Sequence, residues 1–520
     1  MANKNLFKSI VGRLLRGADV VNEAGGPAYA FSPEHALAQY AATGCLTSTF
    51  YATDDAQLGV VLQLATNVEP ELVAKVALYA RDKSHMKDMP ALLLAVLSVR
   101  APELFARVFD RIVDDPKMLR TFVQILRSGV VGRKSLGTRP KRLVTAWIER
   151  LNDDALFRAS VGQDPSLADI VKMVHPKPSN DARRALYGYL IGRDVANDVL
   201  PEIVQTWERF KKGDREIVPD VPFQMLASLD LDTRAWCEIA RHASWQTTRM
   251  NLATFARHGV FGVAGMPELV ADKLRDRRAI ARARVLPYQL LIAYRTAVEG
   301  VPSVVREALQ DAMEIALENV PVIGGAIVVC PDVSGSMSSP VTGHRKGATT
   351  AVRCVDVAAL VAAALVRKNP GARVIPFETE VVPVSLNPRD SVMTNAERLA
   401  ALGGGGTNTS APLSLLAREK AKADLIVYVS DNQSWVDARA AASSTGTETM
   451  RLWEAFKQRN PKARLVCIDV QPYGHTQAHD RDDVLNVGGF SDQVFEAIAR
   501  FANGGNDPRH WLDEIAKIEL

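Results

Sequence analysis

The spacing of apolar residues changes near residue 320, and no single fold class accommodates both sides of that change. Upstream, apolar residues recur every three or four positions, as in Asp55-Ala56-Gln57-Leu58-Gly59-Val60-Val61-Leu62-Gln63-Leu64-Ala65. That spacing lays an apolar stripe along one face of a helix. The same pattern covers 71–80, 90–99, 102–113, 117–126 and 141–151, with short polar or proline breaks such as Asn67-Val68-Glu69-Pro70 and Asp114-Asp115-Pro116. Pro70, Pro90, Pro102 and Pro116 stand at or near first helical turns, where a missing N–H costs nothing. Short helices in series imply an α-solenoid of helix pairs, HEAT-like in architecture, although no fixed-period repeat is legible. Downstream, strands are expected at 324–331, 372–378, 380–385, 424–430 and 463–470. Helices are expected at 352–368, 391–402, 410–421, 448–459 and 490–503. This alternation implies a parallel sheet covered on both faces, a Rossmann-like α/β layer. The expected organisation is α followed by α/β: a helical-repeat domain over 1–320, an α/β domain over 321–505, and a last helix over 506–520 positioned to pack back on the helical domain.

Charge is nearly balanced, with Lys+Arg 63 against Asp+Glu 59, so its distribution says more about partners than its sum. Cys45, Cys237, Cys330, Cys354 and Cys467 form no C-x-x-C pair. Neither a disulfide framework nor a zinc site follows, and reduced thiols in a cytoplasmic protein are expected. The longest apolar runs, 91–99 and 358–366, fall short of the ~18 residues a membrane span needs. The basic, amphipathic start over 5–16 lacks a continuous apolar core and is expected to be a surface helix, not a secretory signal.

The apolar run Ala326-Ile327-Val328-Val329-Cys330 leads into Asp332-Val333-Ser334-Gly335-Ser336. One carboxylate and two hydroxyls then leave a single turn at a strand end. Two further loops can complete an oxygen cage for a hard divalent cation such as Mg²⁺. Gly403-Gly404-Gly405-Gly406-Thr407 offers a hydroxyl on a glycine turn, and Ser430-Asp431 offers a carboxylate after the apolar run Leu425-Ile426-Val427-Tyr428-Val429. Loops at the carboxyl edge of a parallel sheet are where open α/β folds bind ligands. Alone, D-x-S-x-S is equally a capping turn. The ordered triple of D-x-S-x-S, Gly-Thr and strand-terminal Asp resembles the metal-ion-dependent adhesion site of von Willebrand factor A domains over residues 322–505. The resemblance implies that Asp332, Ser334, Ser336 and Thr407 coordinate Mg²⁺, with Asp431 binding directly or through water, and that one position stays open to a partner's carboxylate or a phosphate. The segment 338–350 either covers that position or is a solvated loop.

The helical half carries four cationic clusters. Residues 127–142 hold Arg127, Arg133, Lys134, Arg139, Lys141 and Arg142 and no acid. The glycines and proline among them let a loop approach a phosphate backbone. The second cluster is Lys172-Met173-Val174-His175-Pro176-Lys177 with Arg183-Arg184. The third is Arg241 to Asn251, with Trp245 and Arg249, followed by Arg257-His258. The fourth is Lys273 to Arg284. Each alone is a solvated helix face, and Trp245 alone is a core residue. Together they suit RNA, whose unpaired bases stack on flat side chains and whose phosphates take Arg and Lys.

A basic helical half followed by an A domain resembles the Ro 60 kDa autoantigen family, whose helical half is called the TROVE domain, and its bacterial branch in particular. Asn22-Glu23-Ala24-Gly25-Gly26, Gly132-Arg133-Lys134-Ser135-Leu136-Gly137, Val174-His175-Pro176-Lys177 and Asn251-Leu252-Ala253-Thr254-Phe255-Ala256-Arg257-His258-Gly259 carry the resemblance. It implies a ring of helical repeats joined by the A domain. It implies small non-coding Y RNA on a basic outer surface, with Lys172, His175 and Lys177 part of it. Single-stranded 3′ ends of misfolded RNA would pass through a central hole, with Arg133, Lys134, Arg139, Lys141 and Arg142 near it or its rim. It also implies an exoribonuclease, polynucleotide phosphorylase, as a tethered partner. Arg249, Arg257 and His258 complete the expected RNA-binding set. A rival class is a metal-dependent protein-binding module on a helical scaffold, to which the basic loops would be useless. A nuclease ranks third, because two carboxylates in a hydroxyl-rich cage suit coordination better than two-metal hydrolysis. With no Ser/His/Asp order, P-loop or catalytic cysteine context, a non-enzyme is expected.

Overall fold

A computed structural model of the chain describes residues 16–44, 46–283, 287–297, 300–318, 320, 322–341, 352–436, 446–489, 491, 493–503 and 510–520. The amphipathic start up to residue 15, Cys45, Arg284 and positions 342–350 of the loop after Met337 lie outside the described residues. The chain forms two compact units. One comprises Met1–Val68, Leu286–Tyr288 and Leu317–Ile518, and the other Glu69–Val285, Gln289–Ala316 and Glu519–Leu520. The boundary expected at residue 320 therefore misassigns the first 68 residues, which belong with the α/β unit.

Strand pairing explains that assignment. Strands β1 (Val20–Val21) and β2 (Pro27–Ala30) form a hairpin. Two helices follow, α1 (Pro33–Thr43) and α2 (Asp54–Asn67). β2 pairs antiparallel with β7 of the α/β unit, Tyr29 opposite Thr476, and α1 packs against β8 (both strands are placed below). α1 is buried almost all round, from His35 to Thr43, as befits a helix covered by a sheet on one side and other elements elsewhere.

The helical unit begins with α3 (Pro70–Asp82), α4 (Asp88–Arg100), α5 (Pro102–Ile112), α6 (Pro116–Ser128), α7 (Thr138–Glu149), α8 (Asp153–Arg158) and α9 (Leu167–Val174). Packing runs between near neighbours, α3 on α4 and α5, α4 on α5 and α6, α5 on α7, and α6 and α7 on α9, as in a solenoid. The predicted stripes supply the contacts. α5 buries Phe105, Val108, Phe109 and Ile112; Phe105 stacks on Phe122, and Phe109 meets both edge-on, with centroids 5.6–5.7 Å apart. Asp115 caps α6 by accepting from Met118 N at 2.7 Å, and Gly129 ends it in the left-handed region, where glycine has no Cβ to clash. Helices continue to Ser303–Ala316. Among the described residues, no helix is long and apolar enough to cross a membrane.

The α/β unit contains a parallel five-stranded sheet in the order β4-β3-β5-β6-β8. Its strands are β3 (Ile327–Pro331), β4 (Arg373–Val374), β5 (Leu425–Ser430), β6 (Arg464–Asp469) and β8 (Val484–Gly488), with β7 (His475–Thr476) outside it. Strand β3 has β4 on one side and β5 on the other, so the order reverses between β3 and β5. The strand expected at 380–385 does not form. Val381 makes one isolated bridge to Phe377, and Pro376 and Pro383 remove ladder donors along this sheet edge. β4 shrinks to two residues for the same reason. β8 escapes the sequence pattern because Asn486 interrupts its apolar run. The helix His510–Ala516 packs on α1 and β8, with Trp511 edge-on to His35. It is not part of the helical unit, contrary to expectation. Only Glu519–Leu520 join that unit, where Arg111 donates to the Glu519 carbonyl.

Candidate functional site

The parallel register brings the first two loops of the cage together. Pro331 lies opposite Val429, and Asp332 N donates to the Val429 carbonyl at 2.9 Å. The chain therefore leaves β3 and β5 side by side at their carboxyl ends, at the reversal of strand order. Asp332 Oδ1 accepts from Ser334 N at 2.9 Å and its Oδ2 from Ser430 Oγ at 2.6 Å. Ser334 and Ser336 hydroxyls are 3.3 Å apart. The glycine loop is laced to the same turn, with Gly404 N on Val333 O at 3.0 Å and Gly335 N on Gly405 O at 2.8 Å. Gly403 has φ 79°, and a Cβ there would stand 2.1 Å from the Val333 carbonyl, so this close approach requires glycine. Thr407 follows, buried, its carbonyl accepting from Trp435 N at 3.1 Å.

All five side chains are at most 5% exposed. Burial holds the Asp332 carboxyl above the ordinary carboxylate range, and burial followed by the Asp332 charge does the same to Asp431. Two adjacent buried carboxylates with three hydroxyls, and no cationic group acting on either among the described residues, form an uncompensated site. A hard cation relieves it, and the donor set is all oxygen. Among the described residues, no group of three or more His, Cys, Asp or Glu side chains is arranged for a metal.

The first two cationic clusters, 127–142 and 172–184, come near each other in the helical unit. A shallow groove between the end of α6, the N-terminal part of α7 and α9 is lined by Arg127, Lys134, Lys141, Arg142, Glu149 and Met173 among others. Arg127 reaches Met173 Sδ at 3.2 Å. Lys177 N donates to Glu149 Oε1 at 3.0 Å, which ties the second cluster to α7. His175 caps α9 in the left-handed region, φ 54° and ψ 62°, and its side chain is exposed, as are those of Lys172 and Lys177. Lys134, Lys141 and Arg142 are exposed too. Arg133 instead folds onto its own loop, donating to Ser135 O at 3.1 Å and Leu136 O at 2.9 Å. Gly137, at φ 72°, leaves room for that guanidinium. Arg139 pairs with Glu103 at 2.8 Å.

The third and fourth clusters largely serve the fold. Arg249 is 7% exposed and donates to the Gln289 carbonyl at 2.7 Å. Its expected place among RNA-binding residues is thus corrected: the guanidinium is turned inward. Trp245 is buried with Nε1 on Leu274 O at 3.0 Å. His258 stacks on the buried Trp236 at 4.2 Å, while Arg257 is exposed at the end of its helix. Lys273 Nζ binds the carbonyls of Ala240, Arg241 and Ala243, neutralising a helix C-terminus.

Residues 326–502 match the family described as the Ro60 vWA domain. The chain is 26% identical over 531 aligned positions to the RNA-binding protein RO60 of Deinococcus radiodurans, covering 93% of this chain and 95% of that protein. The similarity to the Ro60 vWA domain is confined to the α/β half of the chain. The crystal structure of the Deinococcus radiodurans RO (RSR) protein shares its fold, with a TM-score of 0.58 and 20% identity over 91% of this chain and all of that one.

Around the cage stand residues that sequence reading misses. Ser430 accepts from Asn432 N at 2.9 Å while donating to Asp332. Asn432 Nδ2 donates to Asp469 Oδ1 at 2.8 Å, and Gln39 of α1 donates to the other oxygen of Asp469. Asp469 ends β6, the same strand-terminal signal that marks Asp431, so it was findable. Gln39 comes from the first 68 residues, and nothing local announces it.

Proposed function

We propose that this chain is an RNA-binding protein of RNA quality control. Its helical unit grips RNA phosphates, its A domain holds Mg²⁺, and it carries out no catalysis of its own. The observation that carries this reading is the groove between α6, α7 and α9, lined by Arg127, Lys134, Lys141 and Arg142 and closed by Met173 of the helix that also carries Lys172. Exposed cations that meet phosphates give affinity that is insensitive to base sequence. The name of the Deinococcus relative, an RNA-binding protein, supports the same reading. The RNA classes are a Y-like small non-coding RNA and structured or misfolded RNAs with a single-stranded 3′ end. The latter thread a ring closed by the helical repeats, and a nuclease of the polynucleotide phosphorylase type is recruited on the Y-like RNA. In the A domain, Asp332, Ser334, Ser336, Thr407 and Asp431 would hold the ion, which supplies a Lewis-acidic anchoring point.

On this reading the two RNA surfaces expected from sequence act as one, since the helix carrying Lys172 also supplies Met173 to the groove. Replacing Lys172, His175 and Lys177 by Ala therefore lowers binding of the same RNAs as replacing Lys134, Lys141 and Arg142. The test is ultraviolet crosslinking in cells followed by sequencing of bound RNA, with wild type and both triple variants. Recovery of structured small RNAs by the wild type and their absence from both variants is the expected result. No RNA above background from the wild type overturns the reading.

A further inference from the structure

The turn Asn22-Glu23-Ala24-Gly25-Gly26, between β1 and β2, supplies no side chain to the cage or the groove, yet it grips the loop that follows Asp431. The Asn22 side chain works in two directions. Its Oδ1 accepts from Ala24 N at 3.0 Å and from Gly26 N at 2.8 Å, which folds the turn. Its Nδ2 donates outward to the Ser434 carbonyl at 2.6 Å. Gly25, at φ 86°, closes the turn by donating to Asn22 O at 3.0 Å. One residue on from Asn22, Glu23 N donates to Gln433 Oε1 at 2.9 Å. The approach leaves no room for a side chain at Gly26, where a Cβ would stand 2.2 Å from the Ser434 oxygen. Asn22, Gln433 and Ser434 are at most 4% exposed, so these bonds form in an interior where each is stronger than in water.

The two gripped residues lead to two different arms of the cage. Gln433 Nε2 donates to the Asp431 carbonyl at 3.2 Å, and Gln433 N donates to Asp431 Oδ1 at 3.4 Å. Ser434 Oγ accepts from Thr409 N at 3.1 Å, and the next two amides, Trp435 N and Val436 N, donate to the Thr407 carbonyl at 3.1 and 3.2 Å. The 432–436 loop is therefore a strut between the Asp431 and Thr407 arms, and the turn is fastened at its middle. The turn is itself anchored, because β2 pairs with β7 and Tyr29 Oη accepts from Thr447 N at 3.1 Å. We propose that the 22–26 turn is a positioning clasp that fixes the separation of the Asp431 and Thr407 arms, so that the cage is incomplete without a segment three hundred residues upstream of its first ligand. Asn22 and Gly26 are its positioning residues. The effect on ion affinity rests on the cation reading above, whereas the effect on the loops does not.

The full-length chain and its variants are compared by hydrogen exchange in EDTA and by Mn²⁺ titration read by electron paramagnetic resonance. Asn22→Asp keeps the acceptor that folds the turn and loses the donor to Ser434. Asn22→Ala loses both, and Gly26→Ala pushes on the Ser434 carbonyl. In all of them exchange rises about tenfold or more over 407–409 and 433–436 and stays at the wild-type rate over β6. Mn²⁺ then binds at least about tenfold more weakly. Unchanged exchange over those two segments overturns the clasp. So does a rise that runs equally through β6, which marks general loosening. Wild-type Mn²⁺ affinity in variants with raised local exchange also overturns it, because the arms then find their places without the turn. Absence of Mn²⁺ binding in the wild type overturns the cation reading, and the exchange rates still decide whether the turn holds the two arms.

Discussion

Asp332 and Asp431 sit side by side in a buried pocket, and their protons report on it. In the folded chain without a divalent ion, both carboxyls hold protons at pH values where the unfolded chain has released them. Folding then takes up protons, so stability falls as pH rises from about 4 towards neutrality. A cation displaces those protons and binds more tightly at higher pH. Thermal melting in EDTA and in excess Mg²⁺ checks this: the Mg²⁺ gain in Tm is larger at pH 8 than at pH 5, and Asp431→Asn removes most of the difference. His175 combines two roles that substitution can separate. It holds a left-handed cap and presents an imidazole beside the groove. His175→Ala costs about 1 kcal/mol of stability because Ala resists that backbone, whereas His175→Gly costs nothing or stabilises. Both lose RNA affinity equally if the imidazole contacts RNA, as urea denaturation and a filter-binding assay on the same samples would reveal. Arg249→Ala behaves oppositely. It loses roughly 1.5–3 kcal/mol through the charged hydrogen bond to Gln289, and the folded fraction keeps its RNA affinity.

At the level of elements, α1 and the cage are joined by a buried chain of hydrogen bonds: Gln39 to Asp469, Asn432 to Asp469, Asn432 N to Ser430, and Ser430 to Asp332. Such outer partners orient ligands, and losing one typically lowers metal affinity ~10–100-fold. Asp469→Asn therefore weakens Mg²⁺ binding, read by calorimetry, and loosens α1. Hydrogen exchange over Pro33–Thr43 reads the second effect; unchanged exchange with weakened Mg²⁺ binding would confine the residue's role to the ion. The elements themselves are largely legible in the sequence. Its patterning predicts five strands and five helices in the α/β half. Four of those strands and all five helices form, because buried parallel strands read as apolar runs and helices as three–four spacing. The failure at 380–385 has a local cause in Pro376 and Pro383. β8 goes unpredicted because Asn486 sits in its middle, satisfied by Ala478 O at 2.8 Å, a partner no local pattern reveals.

Across the whole molecule, the prediction that separates an RNA-gripping groove from a solvated helix face is a salt dependence. Removing one phosphate-binding cation reduces the slope of log affinity against log salt by ~0.7 for a single strand. Lys134→Ala/Lys141→Ala/Arg142→Ala then flattens the slope by about 2, measured by fluorescence anisotropy on an unstructured RNA over a range of KCl; an unchanged slope would make these cations bystanders. By itself the sequence determined the class of each half, the three loops of the cage and the composition of the basic groove. These are properties of residues within a few turns of one another, and periodicity and strand-end chemistry record them. Only the tertiary structure decided that the first 68 residues join the α/β unit, that Gln39 bonds Asp469 beside the cage, that Met173 of the second cationic cluster lines the groove of the first, and that Arg249 turns inward. Each depends on pairings across dozens to hundreds of residues, such as Tyr29 with Thr476. Buried area and hydrogen-bond satisfaction of the whole chain select those pairings, and no local spacing encodes them.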